Sequence, residues 1–417
     1  MKKLKILVSA YACAPDSGSE PGVGWNFIQG LSQNHEVHVI VEKRKWEKPI
    51  NNYLQENLEI NTSLKFYFID KRRSKWLRKV WPPSYYWFYK KWQKKAYQLA
   101  LKLDRQEDFD LIHHLTMVGF REPGYLWKIK KPFVWGPIGG LENSPWRFLP
   151  SLGPKGFFFY VGRNIINSWQ RKFAIRPKRA AIRSNNCLIA ATPESATIIK
   201  RLWHKEVAVI CEVGRDTKAV VSEPQERSSL EPLKIVWSGV HAPRKNLPLL
   251  LKSLSKANYE FELHILGVGE MTKKWQKLAQ NLKLESNCKW YGWLDYNKAI
   301  DVFKTGHVFV ITSISDLTAT VTLEALSYGM PIICLNHCGF AHVINEKCGI
   351  KIPVENPTQA QIDINSALTK LYHNEQLRQR LAMGAIERAS HFSWDKKIVK
   401  LNSLYESLTN QEFIKTE

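Results

Sequence analysis

The chain is short of acids. Against 61 lysines and arginines stand 38 aspartates and glutamates, a formal net charge of +23. Such an excess demands an anionic partner: nucleic acid, lipid headgroups or an acidic substrate. Zinc-finger spacing, an RNP signature and basic heptads are all missing, so no nucleic-acid partner is expected. No apolar run approaches the roughly 20 residues that span a bilayer. The seven cysteines are scattered and form no C-x-x-C pair, which leaves no disulfide or redox framework to read. Cys334, His337, Cys338 and His342 crowd together but lack the second paired spacing of a structural zinc site, and no metal is expected. The opening Met1–Tyr11 has too short an apolar part for a signal peptide and leads into a turn-rich loop. It reads as a first β-strand, and the protein as cytoplasmic.

What is present describes a folded, two-domain α/β protein. The 417 residues exceed one compact core, and 44% hydrophobic with 24% charged residues is ordinary globular composition. Short apolar runs alternate with helical stretches: Lys5–Ser9, Glu36–Val41, Leu64–Ile69, Asp110–Leu115, Pro132–Trp135 and Cys187–Ala191. They read as buried parallel strands, with a first helix at Pro21–Gln33. A polar break at Val221–Pro232 precedes a second series: strands Leu233–Ser238, Glu262–Leu266, Cys288–Tyr291, Val308–Ile311 and Pro331–Leu335. Between them lie helices near Leu247–Lys256, Lys273–Leu282, Tyr296–Phe303 and Ala319–Tyr328, and a last pair of helices follows. No repeat or low-complexity tract is read in the sequence. The expected domains are 1–220 and 221–395, with a helix at about 396–417 returning to the first. Two such halves predict two facing Rossmann-like domains with ligands at the carboxyl ends of the strands.

The segment Ser313–Ile333 carries the strongest signal. Asp316 and Glu324 stand eight residues apart across the mouth of a predicted helix. One acid suits sugar hydroxyls, the other a ribose diol, and the free N–H groups between them suit a phosphate. Upstream, Gly239 follows a strand, and Arg244 and Lys245 precede a helix. Two cations there suit a pyrophosphate on which charge grows as a glycosidic bond breaks. A solvated basic turn and a surface acid are the plain alternatives.

These residues resemble the group 1 (family 4) retaining glycosyltransferases. Asp316 and Glu324 match an E-x7-E signature, with Asp for the first Glu. Lys245 falls on the lysine of G-R-L-x-x-x-K-G and Gly239 on its first glycine. The family arginine is Val240 here, and Arg244 stands nearby to compensate. Where the family has G-F-G-L-V, this chain has Leu317-Thr318-Ala319-Thr320-Val321. Looser matches follow in order: Leu266–Glu270, Tyr291–Leu294, Cys338–His342 and Phe392–Trp394. The resemblance implies a GT-B fold and a nucleotide-sugar donor held by Gly239, Arg244, Lys245, Asp316, Thr318, Ala319, Thr320 and Glu324. It implies retention of configuration with neither metal nor cofactor.

In the first half, Gly18, Gly22 and Gly24 resemble the family's glycine-rich loop near phosphate and acceptor. No third glycine and no acid ending the next strand follow, which argues against a dinucleotide fingerprint. Asp110-Leu111-Ile112-His113-His114 resembles the family's D-x-x-H, a catalytic position by that resemblance. Neighbouring strand residues face opposite ways, so one histidine is expected to face the ligand. Family pattern favours His113, nearness to the strand end favours His114, and both stay open. Trp135–Gly140 reads as a second glycine-rich turn. Asp108-Phe109-Asp110 has the D-x-D form of metal-dependent transferases but is split between loop and strand.

From Lys71 to Lys102 there are eleven cations, no acid and nine interleaved rings, among them Trp76, Trp81, Tyr86 and Trp87. Gly156–Tyr160 and the cations of Arg163–Arg183 add to this. The mixture suits an anionic membrane surface, and a lipid-linked or polysaccharide-precursor acceptor on its inner face is expected. A solvated basic helix face is the alternative. Two other functions stay open: a sugar-nucleotide 2-epimerase of the same fold, and a non-catalytic partner of another transferase.

Overall fold

The computed structural model describes residues 2–58, 63–72, 74–81, 84–184, 187–216, 219–228 and 230–413, and only the backbone of Lys75 and 410–413. Arg73 of the basic stretch, Ser229 of the polar break and residues 414–417 of the expected last helix lie outside these.

The chain folds into two compact units. The first comprises residues 1–141, 169–212 and 394–417, the second 142–168 and 213–393. The first holds strands β1 (Lys5–Ser9), β2 (Glu36–Glu42), β3 (Leu64–Ile69), β4 (Leu111–His114), β5 (Phe133–Ile138), β6 (Leu188–Ala190) and β7 (Ala208–Val209). All pair in parallel, in the order β3-β2-β1-β4-β5-β6-β7. Residues Ile6–Ser9 and all of β4 are buried, as expected of strands covered on both faces.

Helices α1 (Ser19–Ser32), α2 (Lys43–Glu56), α3 (Lys75–Val80) and α4 (Ser84–Glu107) follow in chain order. Pro21 sits in the first turn of α1, where its missing N–H costs nothing. Along α4, Tyr89, Trp92, Ala96, Ala100 and Leu103 are buried at three- and four-residue spacing. They form one helical face on the sheet. Tyr89 and Trp92, two of the nine rings of the basic stretch, are thus core. Helix α5 (Gly153–Phe173) runs from the second unit into the first, and α6 (Ile175–Arg183) and α7 (Pro193–Trp203) complete the first half.

The second unit holds β8 (Leu233–Ser238), β9 (Phe261–Leu266), β10 (Cys288–Gly292), β11 (Val308–Ile311), β12 (Ile332–Leu335) and β13 (Gly349–Ile352). This sheet is also parallel, in the order β10-β9-β8-β11-β12-β13. Its helices are α8 (Leu247–Leu254), α9 (Thr272–Asn281), α10 (Tyr296–Lys304), α11 (Thr320–Ser327), α12 (Phe340–Val343), α13 (Pro357–His373) and α14 (Glu375–His391). The chain ends in α15 (Trp394–Phe413).

The expected boundary at 220/221 needs correction. Residues 142–168 leave the first unit because Phe148, Leu149, Leu152 and Tyr160 share one core with Leu247, Leu250 and Trp275. Helix α15 joins the first unit: Trp394 meets Phe27 edge-on at 5.3 Å, and Tyr405 is fully buried. Among the elements not foreseen are strands β7 and β13 and helices α2 and α12. Four helices rather than two follow β12, and β2 ends on the buried acid Glu42 where no acid was expected.

Candidate functional site

Each sheet reverses its strand order at one place: between β1 and β4 in the first, between β8 and β11 in the second. Loops leaving the carboxyl ends of two such strands diverge to opposite sides and open a crevice, the usual ligand position in open α/β sheets.

In the second unit the loops after β8 and β11 are stitched together. The Ile314 N–H donates to Arg244 O (2.9 Å), Thr312 Oγ1 to Lys245 O (2.7 Å), and Trp237 Nε1 to Thr312 Oγ1 (3.0 Å). This framework puts Lys245 Nζ against Asp316 Oδ2, with Arg244 Nη1 3.0 Å from the same oxygen. Ser313 Oγ donates to it at 3.2 Å, and Arg244 also reaches Ser315 O at 3.1 Å. Arg163, on α5, donates to Ser315 Oγ at 2.5 Å. Burial alone would raise the Asp316 pKa, but Lys245 and then Arg244 outweigh it and hold the carboxyl below its usual range. Asp316 is therefore a carboxylate at neutral pH, with two cations converging on one oxygen. A cavity of about 10 Å³ lies beneath, lined by Lys245, Thr312 and Ala319.

Gly239 leaves room for the lysine: a Cβ there would sit 3.3 Å from Lys245 Cε. Thr318 is buried, and its carbonyl accepts from Thr322 Oγ1 at 2.7 Å. Ala319, just before α11, has φ 61° and ψ 123°. That left-handed backbone favours glycine and costs an alanine about 1–3 kcal/mol. It is held at the mouth of the helix whose first residues are Thr320 and Val321. Glu324 lies one turn further along α11. Burial raises its pKa, and Arg215 offsets this in part.

Arg215 was not foreseen. Its guanidinium donates to Tyr296 Oη (2.9 Å), Ser327 Oγ (3.2 Å) and Tyr328 Oη (3.4 Å), tying the end of α11 to the start of α10. Its signal in the sequence is slight, one Gly-Arg turn after a short strand.

In the first unit, His113 and His114 are both buried. His113 is fully engaged: Nδ1 lies 2.6 Å from Tyr405 Oη and Nε2 2.8 Å from Gly136 O. Burial lowers its pKa to about 4, and that of His114 to about 3. Both are neutral imidazoles at pH 7. The ring of His114 points toward Gly124, whose added Cβ would meet it at 3.2 Å. Two glycines of the first loop, Gly22 and Gly24, sit where a side chain would not fit. A Cβ on Gly22 would strike Ser17 O at 1.8 Å, and one on Gly24 would strike Ala12 O at 2.5 Å, while Gly18 is open.

Asp108 and Asp110 do different jobs at the opposite, amino edge of the sheet. Asp108 pairs with Lys131 at 2.5 Å, and Asp110 accepts from Lys5 N at 2.7 Å. Among the described residues, three side chains with metal-ligating geometry meet at Glu36, His38 and Glu107. Lys65 and Lys5 already pair with those two acids.

Several known proteins resemble this chain in sequence or in fold. Residues 222–388 match the family model described as glycosyl transferases group 1. A lipopolysaccharide 1,6-galactosyltransferase of Escherichia coli K12 is 33% identical over 93 residues, 22% of this chain and 26% of its own. Matched stretches span 26% to 48% of the length of the curated relatives compared first. Among solved structures, the lipopolysaccharide outer core galactosyltransferase WaaB superposes with TM-score 0.67 over 97% of this chain and 99% of that one, at 16% identity. Anabaena HepE, solved with UDP-glucose, gives 0.61 over 97% and 100%, at 14% identity. The fold is therefore GT-B, and residues 222–388 of this chain are a group 1 glycosyl transferase domain.

Proposed function

We propose that the protein transfers a sugar from a UDP-sugar to a hydroxyl of a lipid-linked or polysaccharide-precursor acceptor, with retention and without a metal ion. The observation that carries this reading is the convergence of Lys245 and Arg244 on Asp316 beside the start of α11. Departure of a nucleoside diphosphate moves negative charge onto its terminal phosphate. Lys245 and Arg244 turn from Asp316 to that phosphate, and the N–H groups at the start of α11 bind it. Asp316, released, accepts hydroxyls of the donor sugar, and Glu324 accepts the ribose diol. The bond from C1 to the phosphate oxygen breaks as the acceptor oxygen bonds C1 on the same face. The acceptor proton passes to the departing phosphate oxygen, so no side-chain base is required. Gly239 gives Lys245 the space to move. The first unit takes the acceptor, with neutral His113 or His114 as a hydrogen-bonding group near the reacting sugar.

A UDP-sugar donor is supported by HepE, solved with UDP-glucose, and a lipid-linked acceptor by the lipopolysaccharide transferases. No helix among the described residues is long and apolar enough to cross a membrane. Docking to an anionic surface is supported by Trp76 and Val80 on α3, 71% and 64% exposed beside Arg78 and Lys79. Helix α5 adds a second such surface. Its buried positions are Gly156, Tyr160, Asn164 and Asn167, whereas Phe158, Phe159, Ile165 and Ile166 face outward. It contains no acid. Each cation near an anionic bilayer adds about 1 kcal/mol.

The test is product analysis with UDP-glucose and UDP-galactose against lipid-linked saccharides, with and without EDTA. Acceptor-dependent, EDTA-insensitive release of UDP is expected. Conversion of the donor without acceptor would point to the epimerase.

A further inference from the structure

The first sheet has its own crevice between β1 and β4, and it contains a cavity of about 140 Å³. Glu20, Tyr86, Met117, Gly119, Arg121 and Glu122 line it. Its position follows from topology: Glu20 comes from the segment after β1, and residues 117–122 from the loop after β4.

Glu20 builds the wall. Its Oε1 accepts from Met117 N at 2.6 Å and Val118 N at 3.2 Å. The loop it holds is strained. Met117 has φ 66°, and Ser19, next to Glu20, has φ 61°. Non-glycine residues in that region cost about 1–3 kcal/mol each and persist where the surroundings impose them. A carboxylate with one oxygen on two N–H donors has its second oxygen left to face the cavity. Across the cavity, Arg121 Nε donates to Gln170 Oε1 at 2.5 Å, and Glu122 pairs with Arg176 at 2.9 Å. Two acids thus stand against two guanidiniums. On a chain of charge +23 this is a neutral site, unsuited to hold a phosphate. Tyr86, 53% exposed, offers a ring face at the rim. The volume lies below the roughly 300–1,000 Å³ of pockets for whole drug-sized ligands. It suits a single ring.

We propose that this cavity binds one uncharged sugar ring of the acceptor, its hydroxyls donating to Glu20 and its C–H face on Tyr86. This rests on the glycosyltransferase reading and specifies the group recognised in the first unit: a neutral glycosyl residue, not the phosphate end of a lipid carrier.

The test is ligand-observed NMR with methyl glycosides of glucose, galactose, mannose and N-acetylglucosamine, on the full chain. Glu20→Gln separates a tether from a binding group. Its amide oxygen still accepts the two loop N–H bonds, but the second oxygen becomes an NH2 donor. At least one glycoside is expected to bind the wild type and to weaken about tenfold or more in Glu20→Gln and in Tyr86→Ala. Inorganic phosphate should not displace it. Thermal melting of each variant checks folding. No binding of any glycoside to the wild type, equal binding in both variants, or displacement by phosphate overturns the proposal. UDP titration beside it keeps the two readings apart: glycoside binding with no UDP binding would leave this proposal standing and the donor reading refuted.

Discussion

The two sheets carry the same framework under different loops. On β2 and β3, Glu36, His38, Lys65 and Tyr67 form one cluster. His38 Nε2 meets Glu36 at 2.9 Å, Lys65 meets the same oxygen at 2.9 Å, and His38 Nδ1 meets Tyr67 Oη at 3.0 Å. On β9 and β10, Glu262, His264, Lys289 and Tyr291 repeat it. The corresponding distances are 3.2, 2.7 and 2.9 Å, and each histidine stacks on its tyrosine. Both clusters occupy the strands one and two places from a switch point. At the switch points the likeness ends. The second unit sets two cations on one carboxylate, and the first sets a carboxylate on two backbone N–H groups. The contrast teaches that the framework is shared and the chemistry lies in the loops after β1, β4, β8 and β11.

The strongest way to break this contrast is Lys245→Ala. Removing a cation aimed at a leaving phosphate should lower kcat about 10²–10³-fold, read by steady-state kinetics. The equivalent loss in the first unit, Glu20→Ala, should raise the acceptor KM and leave UDP affinity unchanged. Next comes Tyr405→Phe, which takes the 2.6 Å partner from buried His113. A cost of about 1–3 kcal/mol in denaturant unfolding is expected, since a buried ring nitrogen loses its bond. Ala319→Gly should act in the opposite direction. Relief of about 1–3 kcal/mol of strain, less about 0.5–1 kcal/mol for glycine's extra unfolded freedom, predicts a small rise in melting temperature.

The pH dependence separates the two kinds of acid. Glu324 has a raised pKa, from burial, so its carboxylate is lost earlier on acidification than an ordinary glutamate's. Donor affinity, which needs the carboxylate as acceptor, should fall as pH drops toward that raised value, above about 4.3. Stability moves the other way for this group: protonation relieves a buried charge, so its contribution is present at low pH and lost as pH rises through the raised value. Glu36 is the reverse. His38, then Lys65, hold it at about 2, so its stabilising contribution is present above about 4.3 and lost as pH falls toward 2. The smallest effect should come from Glu36→Gln against Glu262→Gln. Both clusters are partly exposed, so each variant should lose under about 1 kcal/mol, and by similar amounts. Unequal losses would mean the likeness is geometric only.

Much of this fold was legible. Parallel strands buried on both faces read as continuous apolar runs, and those of β1, β4, β11 and β12 fall within the expected bounds. Lys245, Asp316 and Glu324 stood out because their spacing is local to two loops and a helix. What was illegible depended on long-range packing. Nothing local says that Phe148 and Tyr160 belong with Leu250, or that Tyr405 reaches His113 across 292 positions. The paired Glu-His-Lys-Tyr clusters escaped notice because four residues on two strands make no repeat of fixed period. Gly22 and Gly24 were legible as glycines but not as packing residues, since Ser17 O and Ala12 O are their neighbours only in the fold.

The most direct measurement is calorimetric titration of UDP, GDP and ADP into the wild type, Lys245→Ala and Glu324→Ala, in EDTA. Binding of UDP to the wild type, lost or weakened at least about tenfold in both variants, is the predicted result. Absence of nucleotide binding, or binding that both variants retain, would contradict the donor site at β8 and β11.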